Sequence, residues 1–70
     1  RIYFGIPGAG SVDLRLCDIS GRTVERLRSG WMPAGRYSIA PSFANLPSGT
    51  YILRLSAQGA VLTRKLVLIR

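Results

Sequence analysis

Apolar and polar positions alternate most cleanly between residues 12 and 17, where Val12, Leu14 and Leu16 are interleaved with Asp13, Arg15 and Cys17. A period of two sends the aliphatic side chains to one face of a pleated strand and the polar ones to the other. The same alternation returns at Tyr51, Leu53 and Leu55, set against Ile52, Arg54 and Ser56. Shorter β-branched and aromatic stretches predict strands over residues 2–6 and 36–40, the second with Tyr37 and Ile39 in phase. Residues 23–27 predict a return strand, with Val24 and the stem of Arg26 on one face. Helix competes there on propensity, but so short a segment is not stable as a helix by itself. Residues 61–69 predict a closing strand. Its apolar residues Leu66, Val67, Leu68 and Ile69 are consecutive, so either both faces are covered or one meets another domain.

Turn chemistry separates these segments. Asp18-Ile19-Ser20-Gly21 predicts a hairpin turn, in which the Asp18 carboxylate accepts bonds from backbone N–H groups two or three residues on and Gly21 permits positive φ. Leu46-Pro47-Ser48-Gly49 suits a tight turn, with φ preset at Pro47 and a left-handed exit at Gly49. Gln58-Gly59 turns the chain again, and residues 30–35 read as a loop from their Gly and Pro content. Regularly spaced short strands, Gly/Pro turns and no convincing helix indicate an all-β fold, an antiparallel β-sandwich of about six to seven strands.

Seventy residues allow one domain, residues 1–70, with a small core. The chain opens on Arg1 rather than Met, and is read as a C-terminal fragment of a larger protein. No apolar run approaches the roughly 18 residues of a membrane helix, so the chain is not expected to span a membrane. A net charge of +7 favours anionic partners. The single Cys17 has no second cysteine and no histidine to pair with, so it is expected to be a buried, inert thiol.

Catalytic chemistry has little to work with. Without histidine no Ser-His-Asp or Cys-His arrangement exists. Asp13 and Asp18 fall on opposite faces of a continuous strand, a poor geometry for a carboxylate pair. Gly8-Ala9-Gly10-Ser11 is glycine-rich but lacks the Gly-Lys-Ser/Thr ending of a phosphate loop. No catalytic residue, metal site or cofactor is expected. Arg15, Arg54 and Arg64 on one outer face, with Tyr3, Tyr37 and Trp31, would suit nucleic acid. No oligonucleotide-binding signature accompanies them, so none is expected as a partner. Trp31 is read as packing over the end of the core, with a stacking platform as the alternative.

Four motifs then stand in order. They are residues 11–24 with their Asp18-Ile19-Ser20-Gly21-Arg22-Thr23-Val24 hairpin, Ala34-Gly35, Leu46-Pro47-Ser48-Gly49-Thr50-Tyr51, and Arg64-Lys65-Leu66-Val67-Leu68. In this order and spacing the chain resembles the type A C-terminal sorting domain of the type IX secretion system. The immunoglobulin-like domain of the flagellar hook-capping protein is a sister family. It usually carries a Trp-x-Gly-x-Asp segment where this chain has Pro41-Ser42-Phe43-Ala44-Asn45.

The resemblance implies an immunoglobulin-like β-sandwich whose first strand, an Asn-Pro segment in the family, lies outside this chain. It implies a non-catalytic domain that directs an attached upstream cargo through the periplasm and an outer-membrane translocon. The cargo ends secreted or at the cell surface. The implied partners are the translocon, a surface peptidase and anionic lipopolysaccharide. Lys65, Leu66, Val67, Leu68, Ile69 and Arg70 are the candidate recognition segment; completing the sandwich is their other reading. The alternative function is an accessory binding or spacer module that packs on an enzyme or holds anionic polysaccharide, with Trp31 and the basic face as its binding surface.

Overall fold

A computed structural model describes residues 1–69. Six antiparallel strands form two sheets: β1 (Ile2–Ile6), β2 (Gly10–Asp18), β3 (Thr23–Met32), β4 (Gly35–Ile39), β5 (Gly49–Ala57) and β6 (Ala60–Leu68). The larger sheet has the order β3-β2-β5-β6, and β1 and β4 make the smaller one. Among the described residues there is no helix, and so none long and apolar enough to cross a membrane.

The alternation in β2 sets the core. Leu14 and Leu16 are 1% and 0% exposed, and Val12 is buried with them. Register places Val12, Leu14 and Leu16 opposite Ala57, Leu55 and Leu53 of β5, so one aliphatic face runs across both central strands. Ile6 of β1 joins Val12, Leu14, Met32 and Leu55 in the main cluster, with Phe4, Leu27, Tyr37 and Ile39 packed around it. Phe4 and Tyr37 are cross-strand partners whose rings stack with centroids 5.5 Å apart. The smaller sheet thus covers the larger one through contacts of the kind that dominate sheet energetics. Cys17 is buried and free.

Two expectations are corrected. The return strand β3 continues through Gly30 and Trp31 to Met32, where a loop was expected. Nine-residue β2 offers backbone partners along its length, and pairing with Gly10, Ser11 and Val12 outweighs the turn preference of Gly30. Trp31 is 67% exposed and does not close the core; Met32, one position on, is buried instead. The ladder between β2 and β3 also slips twice. Leu27 and Val24 are each an extra residue, so Arg28 faces Leu14, Arg26 faces Arg15 and Thr23 faces Cys17. Such bulges re-aim side chains, and here Leu27 is turned onto the core while Arg26 stays opposite Arg15.

Two strands begin with the same device. Pro33-Ala34-Gly35-Arg36-Tyr37 opens β4 and Pro47-Ser48-Gly49-Thr50-Tyr51 opens β5. In each, the tyrosine ring passes over the glycine, 3.9–4.0 Å from where a Cβ would stand. Its hydroxyl donates to the proline carbonyl four residues back, at 2.7 Å for Tyr51 and Pro47, with Tyr37 and Pro33 paired likewise. Each ring therefore ties the crossing loop to the strand it enters. Tyr51 is buried, so Tyr51→Phe, which leaves the Pro47 carbonyl unpaired, should cost about 0.5–1.5 kcal/mol. Thermal unfolding would register that as a drop of roughly 5 °C in a domain of this size. The equivalent change at the more exposed Tyr37 should cost less.

Candidate functional site

The predicted recognition segment lies on the last strand, at one of the two edges of the larger sheet; the other edge, β3, carries the two bulges. β6 pairs with β5 alone, held in register by a two-residue turn in which Gln58 and Gly59 both take positive φ, 54° and 77°. Positive φ at both centres is what a type I′ hairpin requires. Gln58 also donates from Nε2 to the Gly8 carbonyl, fastening this turn to the link between β1 and β2.

Along β6, residues 60–65 are all exposed. Lys65 and Val67 stand opposite Ile52 and Thr50 on the outer face. Leu66 and Leu68 stand opposite Tyr51 and Gly49 on the inner face and are half-buried. Ile69, just past the strand, is 86% exposed, and Arg70 lies outside the described residues. The four candidates within β6 therefore divide between two faces rather than presenting one side-chain surface; what β6 offers continuously is its backbone. Within this chain neither face of the strand is fully covered, so the expectation that both faces are covered is not met. Leu62 on the inner face is 63% exposed, and Val61 and Val67 on the outer face are also uncovered. Between β6 and β1 runs a groove of about 250 Å³ lined by Ile2, Phe4, Leu55, Leu62 and Arg64.

Register corrects the expected trio of outer-face arginines. Arg64 is opposite Leu53 and belongs to the inner face. Arg26 takes its place, because Arg26, Arg15 and Arg54 are successive cross-strand neighbours. The bulge at Leu27 hid this from a reading by period alone.

The turn residues have well-defined geometry. Asp18 Oδ1 accepts from the Ser20 N–H at 3.0 Å, the Ser20 hydroxyl at 2.6 Å and the Arg22 N–H at 3.0 Å. Its Oδ2 lies 3.3 Å from Arg22 Nε. Gly21, at φ 93°, donates to the Asp18 carbonyl. The backbone donors are thus two and four residues on, not two and three. Pro47 supplies the carbonyl for Tyr51. Gly49 is not left-handed as expected; it is already in β5 with ordinary backbone, and the Tyr51 ring lies over it at van der Waals distance.

The bonds from Ser20 and Arg22, with the Arg22 charge, hold the Asp18 carboxyl below the usual carboxylate range. The hydrogen bond and charge of Arg15, with the charges of Arg26 and Arg54, act on Asp13 in the same direction. A folded-state value below the unfolded one stabilises the fold above the unfolded value, and that stabilisation is lost as pH falls through the folded value. The urea midpoint should therefore be flat near neutrality and decline below about pH 4. Asp18→Asn should flatten part of that decline, and the part due to Asp13 should remain.

Among the described residues no three His, Cys, Asp or Glu come together as a metal site. The arrangement presents an open strand edge and a charged sheet face. Compared with known protein families, the chain matches the secretion system C-terminal sorting domain over residues 1–69. No curated protein and no solved structure matches it.

Proposed function

This chain belongs to the secretion system C-terminal sorting domain family, the sorting signal of type IX secretion, and from that premise we propose that its last strand is what the secretion machinery reads. Membership implies export to the cell surface or secretion, through interaction with a type IX system, and the family is in general non-catalytic. The finer reading is that β6 docks on an outer-membrane translocon by strand addition while the attached cargo passes from the periplasm to the surface.

The observation that carries it is the open edge of β6. Proteins commonly shorten, cover or bulge an edge strand, because its unpaired N–H and C=O groups invite another chain. This strand is nine residues long and six successive positions are exposed. Its ladder to β5 runs without a slip from Gly49↔Leu68 to Ala57↔Ala60. Recognition through main-chain bonds tolerates varied side chains, which suits a signal whose candidate residues point in two directions. Arg64 and Lys65 add positive charge that would steer an acidic receptor. A surface peptidase acting after transport belongs to the same reading.

A reporter protein fused ahead of the 70-residue chain tests it. In a host with a working type IX translocon the reporter should reach the surface or medium. In the same host lacking the translocon it should stay in the periplasm. Equal surface delivery in both hosts would reject the proposal.

A further inference from the structure

The outer face of the larger sheet carries a second feature, which does not depend on secretion. Rows of cross-strand neighbours can be read across β3, β2, β5 and β6. One row is Arg26, Arg15, Arg54 and Thr63; the row beside it ends in Lys65, opposite Ile52. Adjacent strands are about 4.8 Å apart, so three guanidinium-bearing residues start at intervals of about 5 Å. Like charges directly opposite one another weaken a sheet. Here two such pairs share one residue, in a domain too small to carry repulsion lightly.

One acid faces the row. Asp13 Oδ2 pairs with Arg15, and Arg15 also donates to Thr23 Oγ1 at 3.2 Å. The central guanidinium is thus fixed in place. Arg26 and Arg54 are exposed, and among the described residues neither side chain makes a hydrogen bond or an ion pair. On the same face, Trp31 stands opposite Ser11, and Ser29, Asp13 and Ser56 form the row between it and the arginines. The 67% exposed indole is therefore on the arginine side of the sheet.

We infer that this face binds an acidic polysaccharide, with carboxylate or sulfate groups held by Arg26 and Arg54 around the fixed Arg15 and a sugar ring stacked on Trp31. The chemistry favours a glycan over nucleic acid. Strand-binding nucleic-acid surfaces stack successive bases on several aromatic rings. This face has one ring, beside the hydroxyls of Ser11, Ser29, Ser56 and Thr63. Tyr37 lies on β4, in the other sheet.

Polygalacturonate titrated into the 70-residue chain, followed by Trp31 fluorescence, tests the inference, with neutral dextran and single-stranded oligo(dT) as comparison probes. Saturable binding of polygalacturonate, weakened by salt, is expected. The double variant R26Q/R54Q should weaken it about tenfold or more. R36Q/R64Q removes the same charge from the opposite sheet and the inner face, and should change affinity by about twofold at most. Should the first variant fold poorly, R54Q alone against R64Q alone makes the same comparison, and thermal unfolding of the unaltered chain tests the binding itself. Polygalacturonate should raise its midpoint and dextran should not. Equal losses in the two double variants would mean net charge alone is responsible and would overturn the site. So would tighter binding of oligo(dT), equal binding of dextran, or absence of saturable binding and thermal protection.

Discussion

Leu14→Ala should strip this protein of about half its stability. Leu14 is 1% exposed at the centre of β2, opposite Leu55 and packed in the main cluster. Truncating a buried leucine costs about 2–5 kcal/mol, because the transfer energy of the lost methyl groups adds to that of the cavity left behind. Stability of roughly 0.05–0.15 kcal/mol per residue gives a chain of 70 residues about 4–10 kcal/mol in total, so this one change removes about half of it. Circular dichroism should show loss of the cooperative unfolding transition or a large fall in its urea midpoint. Leu62→Ala is the matched control. Leu62 lies on the same inner face, opposite Leu55 on the other side, but is 63% exposed because the smaller sheet does not cover β6. Its truncation should stay within about 0.5 kcal/mol of the unaltered chain. Two leucines flanking one partner, differing several-fold in cost, would show that the core stops at β5.

That boundary explains what could be read from the sequence and what could not. β2 and β5 were legible because one face of each is buried and the other, Cys17 apart, is not, so their residues alternate. β6 ends on three apolar residues in succession, Leu66 to Leu68, and only its pairing with β5 decides which face each takes. Arg64 was assigned to the wrong face for that reason. In β3 the two bulges shift the phase at Leu27 and again at Val24, and a strict period of two fails across both. They bring Arg26 into the arginine row, so its place on the basic face was hidden by the same irregularity. The paired Pro-x-Gly-x-Tyr corners were visible in the sequence as a five-residue pattern occurring twice. What could not be seen was that each tyrosine hydroxyl reaches back to its proline. The family was legible because four turn and strand motifs stand in order, each weak alone.

Proline placed singly along residues 61–65 should separate folding from recognition. Successive residues of an edge strand direct their N–H groups alternately to the neighbouring strand and outward. Where the N–H faces β5, proline removes a ladder bond and should destabilise the sheet. Where it faces outward, proline is tolerated, as natural edge strands show. Stability measured along the series should therefore alternate with a period of two. Export should not alternate with it, because outward-facing prolines remove the donors a docking strand would use. Deleting the whole strand would not give this separation, since fold and export would be lost together.

The most direct measurement is the surface-to-periplasm ratio of a reporter fused to those proline variants that retain the unfolding midpoint of the unaltered chain. The expected result is a folded domain with the reporter held in the periplasm. Stable variants that deliver the reporter to the surface as well as the unaltered chain does would show that the open edge of β6 is not what the translocon reads.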